Sequence, residues 1–216
     1  MKHRMLGLAA FGGLAALATP AAAAPSQWTV ALYEAGRCIV QQDRGAAQTL
    51  LQTLPLDDAA AELDSLRGPA RQCLEGAAGA TGIDLRGAIA QALYLRDFRG
   101  RELRPVRAGN LVSFDLPIQA SPPGARTVEL YRWADCVVRN DSQGTRLLLT
   151  SPLGSPDEQA AMNGLANFMG SCLPQGSDLN VYANEVRPLF AQSAYFSLYR
   201  YWTGRLAGSG RSASAD

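Results

Sequence analysis

The 216-residue chain carries a formal net charge of +1 and four cysteines, and its single lysine and single histidine are Lys2 and His3. Without those first residues the balance is 18 arginines against 19 acidic side chains, too even a field for general nucleic-acid binding. The chain beyond them has no Ser-His-Asp or Cys-His set, no HExxH zinc helix, no Schiff-base lysine and no P-loop lysine.

In chain order, Met1 to Arg4 is positive, Met5 to Ala18 is apolar, and Thr19-Pro20 leads into alanines ending at Ala24. This is the pattern of a secretory signal peptide over residues 1–24, cut within Ala22 to Ala24. The apolar run is shorter than the roughly 20 residues that span a bilayer, and no cysteine stands at the cut for a lipid anchor. The expected location is periplasmic or secreted, with no transmembrane segment in the mature chain.

Residues 25–100 read as a first helical unit. Ser26 is placed to cap a helix in which Leu32, Ala35 and Ile39 keep helical spacing. Asp43 caps a second helix carrying Leu50 and Leu51, which Pro55 stops. Asp57 caps a third helix with Ala60, Leu63 and Leu66 on one face, broken at Gly68-Pro69 and resumed through Cys73. A glycine-rich turn from Gly76 to Gly82 leads to Asp84, the expected cap of a fourth helix through Ile89, Leu93 and Phe98.

Residues 101–126 read as a linker. Val112, Phe114, Leu116 and Ile118 alternate with Ser113, Asp115 and Pro117, as in an extended segment, and Ser121 to Gly124 forms a turn. A hairpin with Thr127 to Tyr131 is the weaker alternative, since the matching Thr29 to Tyr33 has no such partner. The second unit spans residues 127–207. Its Ser155-Pro156-Asp157-Glu158 has the form of a capping box. Pro188 predicts that its last helix starts close to Asn184. Residues 208–216 are small and polar, and disorder is expected there.

The two units are copies. TVALYEAGRCIV (residues 29–40) matches TVELYRWADCVV (residues 127–138) at an offset of 98. Asp43 matches Asp141, Cys73-Leu74 matches Cys172-Leu173, and Arg86, Ala90, Gln91 and Tyr94 match Arg187, Ala191, Gln192 and Tyr195. A period near 100 exceeds that of the common solenoids and marks one duplicated domain-sized unit. The cysteines are 35 or more residues apart, unlike the close pairs of structural zinc sites. Duplication of a unit with its own bridge gives Cys38–Cys73 and Cys136–Cys172; pairing between the copies is the alternative. The fold class is therefore all-α, as two tandem, pseudo-symmetric helical units, each with one internal disulfide.

Cys136 to Asp141 (CVVRND), Leu147 to Ala160 (LLLTSPLGSPDEQA), Cys172-Leu173-Pro174 and Arg187-x-x-x-Ala191-x-x-x-Tyr195 carry a resemblance. The chain resembles uncharacterised, signal-peptide-bearing, disulfide-containing helical proteins of sphingomonad-type bacteria. The resemblance extends over both copies, is better in the second, and departs in the first, where no proline follows Cys73-Leu74. It implies export and an all-helical unit, and carries over no catalytic residue.

Asp43 and Asp141 recur and would suit acid/base chemistry, but a helix cap needs only one side-chain oxygen, and that role is the expected one. Arg86 and Arg187 could fork onto a carboxylate or phosphate of a ligand, but with Tyr94 and Tyr195 they read first as internal ties: arginine to an acidic neighbour or a helix C-terminus, tyrosine with its ring buried and its hydroxyl on a partner. Tyr195, Phe196, Tyr199 and Trp202 form an aromatic stripe whose default is burial. Residues 96–107 hold five arginines against two acids, so Arg99, Arg101 and Arg104 are candidate contacts for anionic envelope components, with a solvated helix end as the plainer reading. No catalytic, cofactor or metal motif is present. The expected function is an exported, non-catalytic binding or structural protein. The alternative is a carboxylate-dependent glycan or peptide hydrolase drawing on Asp57, Asp58, Glu62, Glu158 or Glu185.

Each loop closed by such a bridge contributes roughly 4 kcal/mol in the chain-entropy account. Non-reducing peptide mapping of the oxidised chain should return two linked pairs, Cys38 with Cys73 and Cys136 with Cys172. A link between the copies would overturn the duplicated-unit reading.

Overall fold

In the computed structural model, residues 24–51, 66, 68–80, 82–100 and 124–209 are described. They form α1 (Gln27–Gln42), α2 (Arg44–Leu51), α3 (Pro69–Gln72), a 3-10 turn (Glu75–Ala77) and α4 (Gly82–Asp97) in the first half. The second half contains α5 (Gly124–Asn140), α6 (Ser142–Thr150), α7 (Pro156–Ser171) and α8 (Ala183–Ser209). The described residues contain no strand, so the all-α class holds for them. None of their helices is long and apolar enough to cross a membrane.

The helix starts follow the local chemistry. Ser26 Oγ accepts from the Thr29 amide at 3.0 Å. Asp43 and Asp141 each accept from an amide three residues on, at 2.8 Å, and thereby start α2 and α6. These two aspartates are caps, and their recurrence in the repeat is structural. The capping box at α7 is only half made. Ser155 Oγ accepts from the Glu158 amide, but the Glu158 carboxylate takes the Gly154 amide in place of that of Ser155, which donates to Pro152 O.

Several boundaries differ from expectation. Asp84 is not the cap of α4: that helix begins at Gly82, and Asp84 sits in its first turn, where the helix dipole favours a carboxylate. α5 begins at Gly124, inside the segment expected to be linker, and takes Thr127 to Tyr131 with it as helix. α8 begins at Ala183, one residue from the expected Asn184, with Pro188 in its second turn. It runs to Ser209, two residues into the stretch expected to be disordered. The signal peptide, most of the Asp57–Leu66 helix, the extended segment at 112–118 and the final tail lie outside the described residues.

Both disulfides join the cysteines of one half. Cys38 on α1 meets Cys73 just after α3, and Cys136 on α5 meets Cys172 at the end of α7, with Cα separations of 5.7 and 5.8 Å. Asn140 Nδ2 lies over the second bridge, 3.4 Å from Cys136 Sγ and 3.6 Å from Cys172 Sγ.

The halves do not have separate cores. One continuous cluster includes Ile39, Leu85, Ile89 and Leu93 from the first half and Leu130, Val137, Leu189 and Phe190 from the second. α4 and α8 share the most extensive helix–helix interface, flanked by α1 against α4 and α5 against α8. Residues Leu85 to Tyr94 of α4 are all buried, so this helix is covered all round, as a central helix must be. At its crossing with α8, a Cβ on Gly87 would fall 2.3 Å from both Cα and Cβ of Pro188. Gly87 and Pro188 are corresponding positions of the repeat, and they touch each other. At the crossing of α1 and α4 a Cβ on Gly36 would come within 2.6 Å of the Ala88 backbone.

Gly87→Ala should therefore force the central helices apart and cost about 1–3 kcal/mol, the usual range for overpacking. Gly164→Ala, on the exposed face of α7 with nothing within 4 Å, should be neutral or add up to about 1 kcal/mol through helix propensity. Urea unfolding of the two variants beside the parent chain measures both.

Candidate functional site

A groove of about 370 Å³ opens where the halves meet, within the size range of small-molecule sites. α1 contributes Val30, Tyr33, Glu34 and Arg37; α4 contributes Ala88, Gln91, Ala92 and Leu95; residues 149–153, at the end of α6 and just beyond it, form the opposite wall; α8 contributes Arg187. Pro25 closes one end and packs on Gly154, whose φ of 69° and missing side chain admit the proline ring.

Arg187 organises the polar part of this groove. It is 6% exposed, and each of its nitrogens is occupied. Nε donates to Gln91 Oε1 at 2.9 Å, Nη2 donates to Ser151 O at 2.8 Å, and Nη1 forms an ion pair with Glu158. Its guanidinium carbon lies 5.7 Å from the ring centre of Tyr33, a cation–π distance. Gln91 turns its Nε2 to Leu149 O at 3.2 Å, so α4, α6, α7 and α8 are joined through one arginine and one glutamine. Burial pushes the Tyr33 phenol well above its ordinary value, against the opposing pull of the Arg187 charge, so Tyr33 is a neutral hydroxyl at physiological pH.

The expectation for Arg187, an internal tie to an acidic neighbour, is met by Glu158. Arg86 is likewise buried, at 2% exposure. The tyrosines part company. Tyr195 Oη accepts from Gln48 Nε2 at 3.0 Å, a tie between α8 and α2 across the halves. Tyr94 has its ring buried but its hydroxyl has no hydrogen-bond partner, contrary to expectation. Burial raises both phenols to about 12. Of the aromatic stripe, Tyr195 is buried between Phe98 and Tyr199, each ring centre 5.8 Å away, and the side chain of Trp202 lies outside the described set.

The arginine-rich run is only partly in view. Arg99 is exposed, and Arg101 and Arg104 lie outside the described residues. Its first members are committed: Arg96 donates to Val40 O at 3.2 Å, capping the end of α1, and Asp97 pairs with Arg44 at 2.9 Å.

Among the candidate acids, Asp57, Asp58 and Glu62 are outside the described residues. Glu158 is held by Arg187, and Glu185 is held by Arg126 at 2.9 Å. Burial raises the carboxyl of Asp84, and the negative charge of Glu185 adds to the rise; neither residue lines the groove. No group of three or more His, Cys, Asp or Glu side chains suited to a metal ion occurs among the described residues. Sequence reasoning missed Tyr33 and Gln91 as groove residues. Their recurrence as Tyr131 and Gln192 was the available signal, but Tyr33 reads as one more apolar helix position.

Removing one member of the Arg187–Glu158 pair strands the other charge. Arg187→Met should lower stability by about 3–5 kcal/mol, and adding Glu158→Gln should recover part of that loss. Arg37→Ala, which removes a surface pair with Glu34 at 3.6 Å, should cost no more than about 1 kcal/mol. Denaturant unfolding of the single and double variants tests this. No protein-family model, curated protein or solved structure matches the chain.

Proposed function

We propose that this is an exported, non-catalytic binding protein of the cell envelope, and that the groove between its halves is where it takes its ligand. The observation that supports this reading is the combination of apolar walls with a preorganised polar floor at Arg187, Gln91 and Tyr33. Recognition sites need an apolar body with a few fixed polar groups, and here Arg187 and Gln91 are fixed by bonds that join four helices. Both cysteine pairs are oxidised and none is free, which fits an oxidising compartment and the leader-like first 24 residues.

The hydrolase alternative needs two carboxylates free to exchange protons. Glu158 and Glu185 serve it poorly, because each is fixed on an arginine. Arg99 at the end of α4, with Arg101 and Arg104, stays in the proposal as a surface for anionic envelope polymers.

The full chain, expressed in a Gram-negative host and isolated under oxidising conditions, is expected in the periplasmic fraction, trimmed within Ala22 to Ala24. Native mass spectrometry should find it carrying a small molecule that Val30→Trp, a substitution on the groove rim, removes. Binding to anionic envelope polymer should be saturable, salt-sensitive and weakened when Arg99, Arg101 and Arg104 become Ala. Retention in the cytoplasm with free thiols would end the export reading. A groove without ligand in the native host would end the binding one.

A further inference from the structure

The groove's own chemistry narrows what it takes. Its charges are already matched: Arg187 is paired with Glu158 on the floor, and Arg37 with Glu34 on the rim. An ionised ligand would bring an unmatched charge against Val30, Ala92, Leu95, Leu149 and Leu153, where loss of hydration is costly. Gln91 is spent at both ends, its oxygen on Arg187 and its nitrogen on Leu149 O.

What remains is donor capacity. A guanidinium has five N–H groups, and hydrogen bonds to described residues use three of those of Arg187, one on each nitrogen. The Tyr33 hydroxyl makes no hydrogen bond with any described residue. A site with apolar walls, balanced charge and spare donors selects an apolar molecule that carries an acceptor and no charge. From this the geometry points to an uncharged amphiphile as the ligand: an acyl or alkyl body along the apolar wall, with an ester, amide or alcohol oxygen accepting from Tyr33. This deepens the binding reading above and rests on it. Tyr33 is the specificity residue, since its hydroxyl is a neutral donor.

The test uses the oxidised full-length mature protein and three probes of equal chain length, methyl octanoate, 1-octanol and octanoate, titrated by calorimetry at pH 7. Methyl octanoate and octanol should bind with one site per chain, and octanoate at least tenfold more weakly. Tyr33→Phe should weaken the ester about fivefold, the loss of one hydrogen bond, while leaving circular dichroism and both disulfides unchanged. Val30→Trp, and independently Leu153→Trp from the opposite wall, should abolish binding of all three, so that a misfolded single variant does not decide the matter. Octanoate binding as tightly as the ester, and lost in both Trp variants, would overturn the uncharged class but leave the groove as a binding site. An unchanged ester affinity in Tyr33→Phe would remove Tyr33 from its role. No binding by any probe to the folded parent chain would overturn this proposal together with the reading it rests on. A dimer that dissociates in Val30→Trp would overturn both and assign the groove to a second copy of the chain.

Discussion

The close approach of α4 and α8 at Gly87 and Pro188 is the constraint from which the rest of the structure follows. Two helices packed this tightly need one surface without a side chain, and a glycine opposite a proline ring supplies it. Proline has no amide hydrogen, so α8 loses one bond of its ladder at Pro188. Gln192, one turn on, bridges the site: its Nε2 donates to Pro188 O and to Ile83 O, each at 3.2 Å, and its Oε1 accepts from Tyr131. The arrangement ties α4, α5 and α8 at the centre, and it leaves α4 buried from Leu85 to Tyr94.

With the terminal helices of both halves at the centre, the remaining elements pack outside them and reach across. Gln48 on α2 bonds Tyr195 on α8, and Gln91 on α4 bonds the end of α6. The corresponding Gln91 and Gln192 thus both serve the junction, but on different partners. Gln192 meets Tyr131, whereas Gln91 meets Arg187, and Tyr33 lies beside the guanidinium with its hydroxyl bonded to no described residue. A buried arginine with its partner and hydrogen bonds in place is weak evidence for stability and better evidence for a fixed geometry, which is the property a recognition floor requires.

Much of the fold was legible because it rests on local rules. Ser26, Asp43, Asp141 and Ser155 accept amides at helix starts, as short polar side chains before apolar periodicity should. The disulfide partners followed from equal spacing in the two copies. The misses have local causes too. Asp84 looked like a cap, but a first-turn carboxylate is favoured by the same dipole and leaves the same sequence trace. Gly124 looked like the end of a turn, although α5 starts with it. The candidate site was barely legible: Arg187 was recognised as a tie, but its three partners lie 29, 36 and 96 residues away.

The amino-acid sequence by itself determined the helical class, the sequence repeat and the bridge within each half, since periodicity, capping and cysteine spacing act over a few residues or recur at a nearly constant offset. The tertiary structure alone decided that the halves share one core, that Gly87 meets Pro188, and that Tyr33, Gln91, Glu158 and Arg187 converge on one groove. Such meetings depend on which helix faces pack together and how closely. That is set by the summed shape of side chains distant along the chain, which no short window of residues contains.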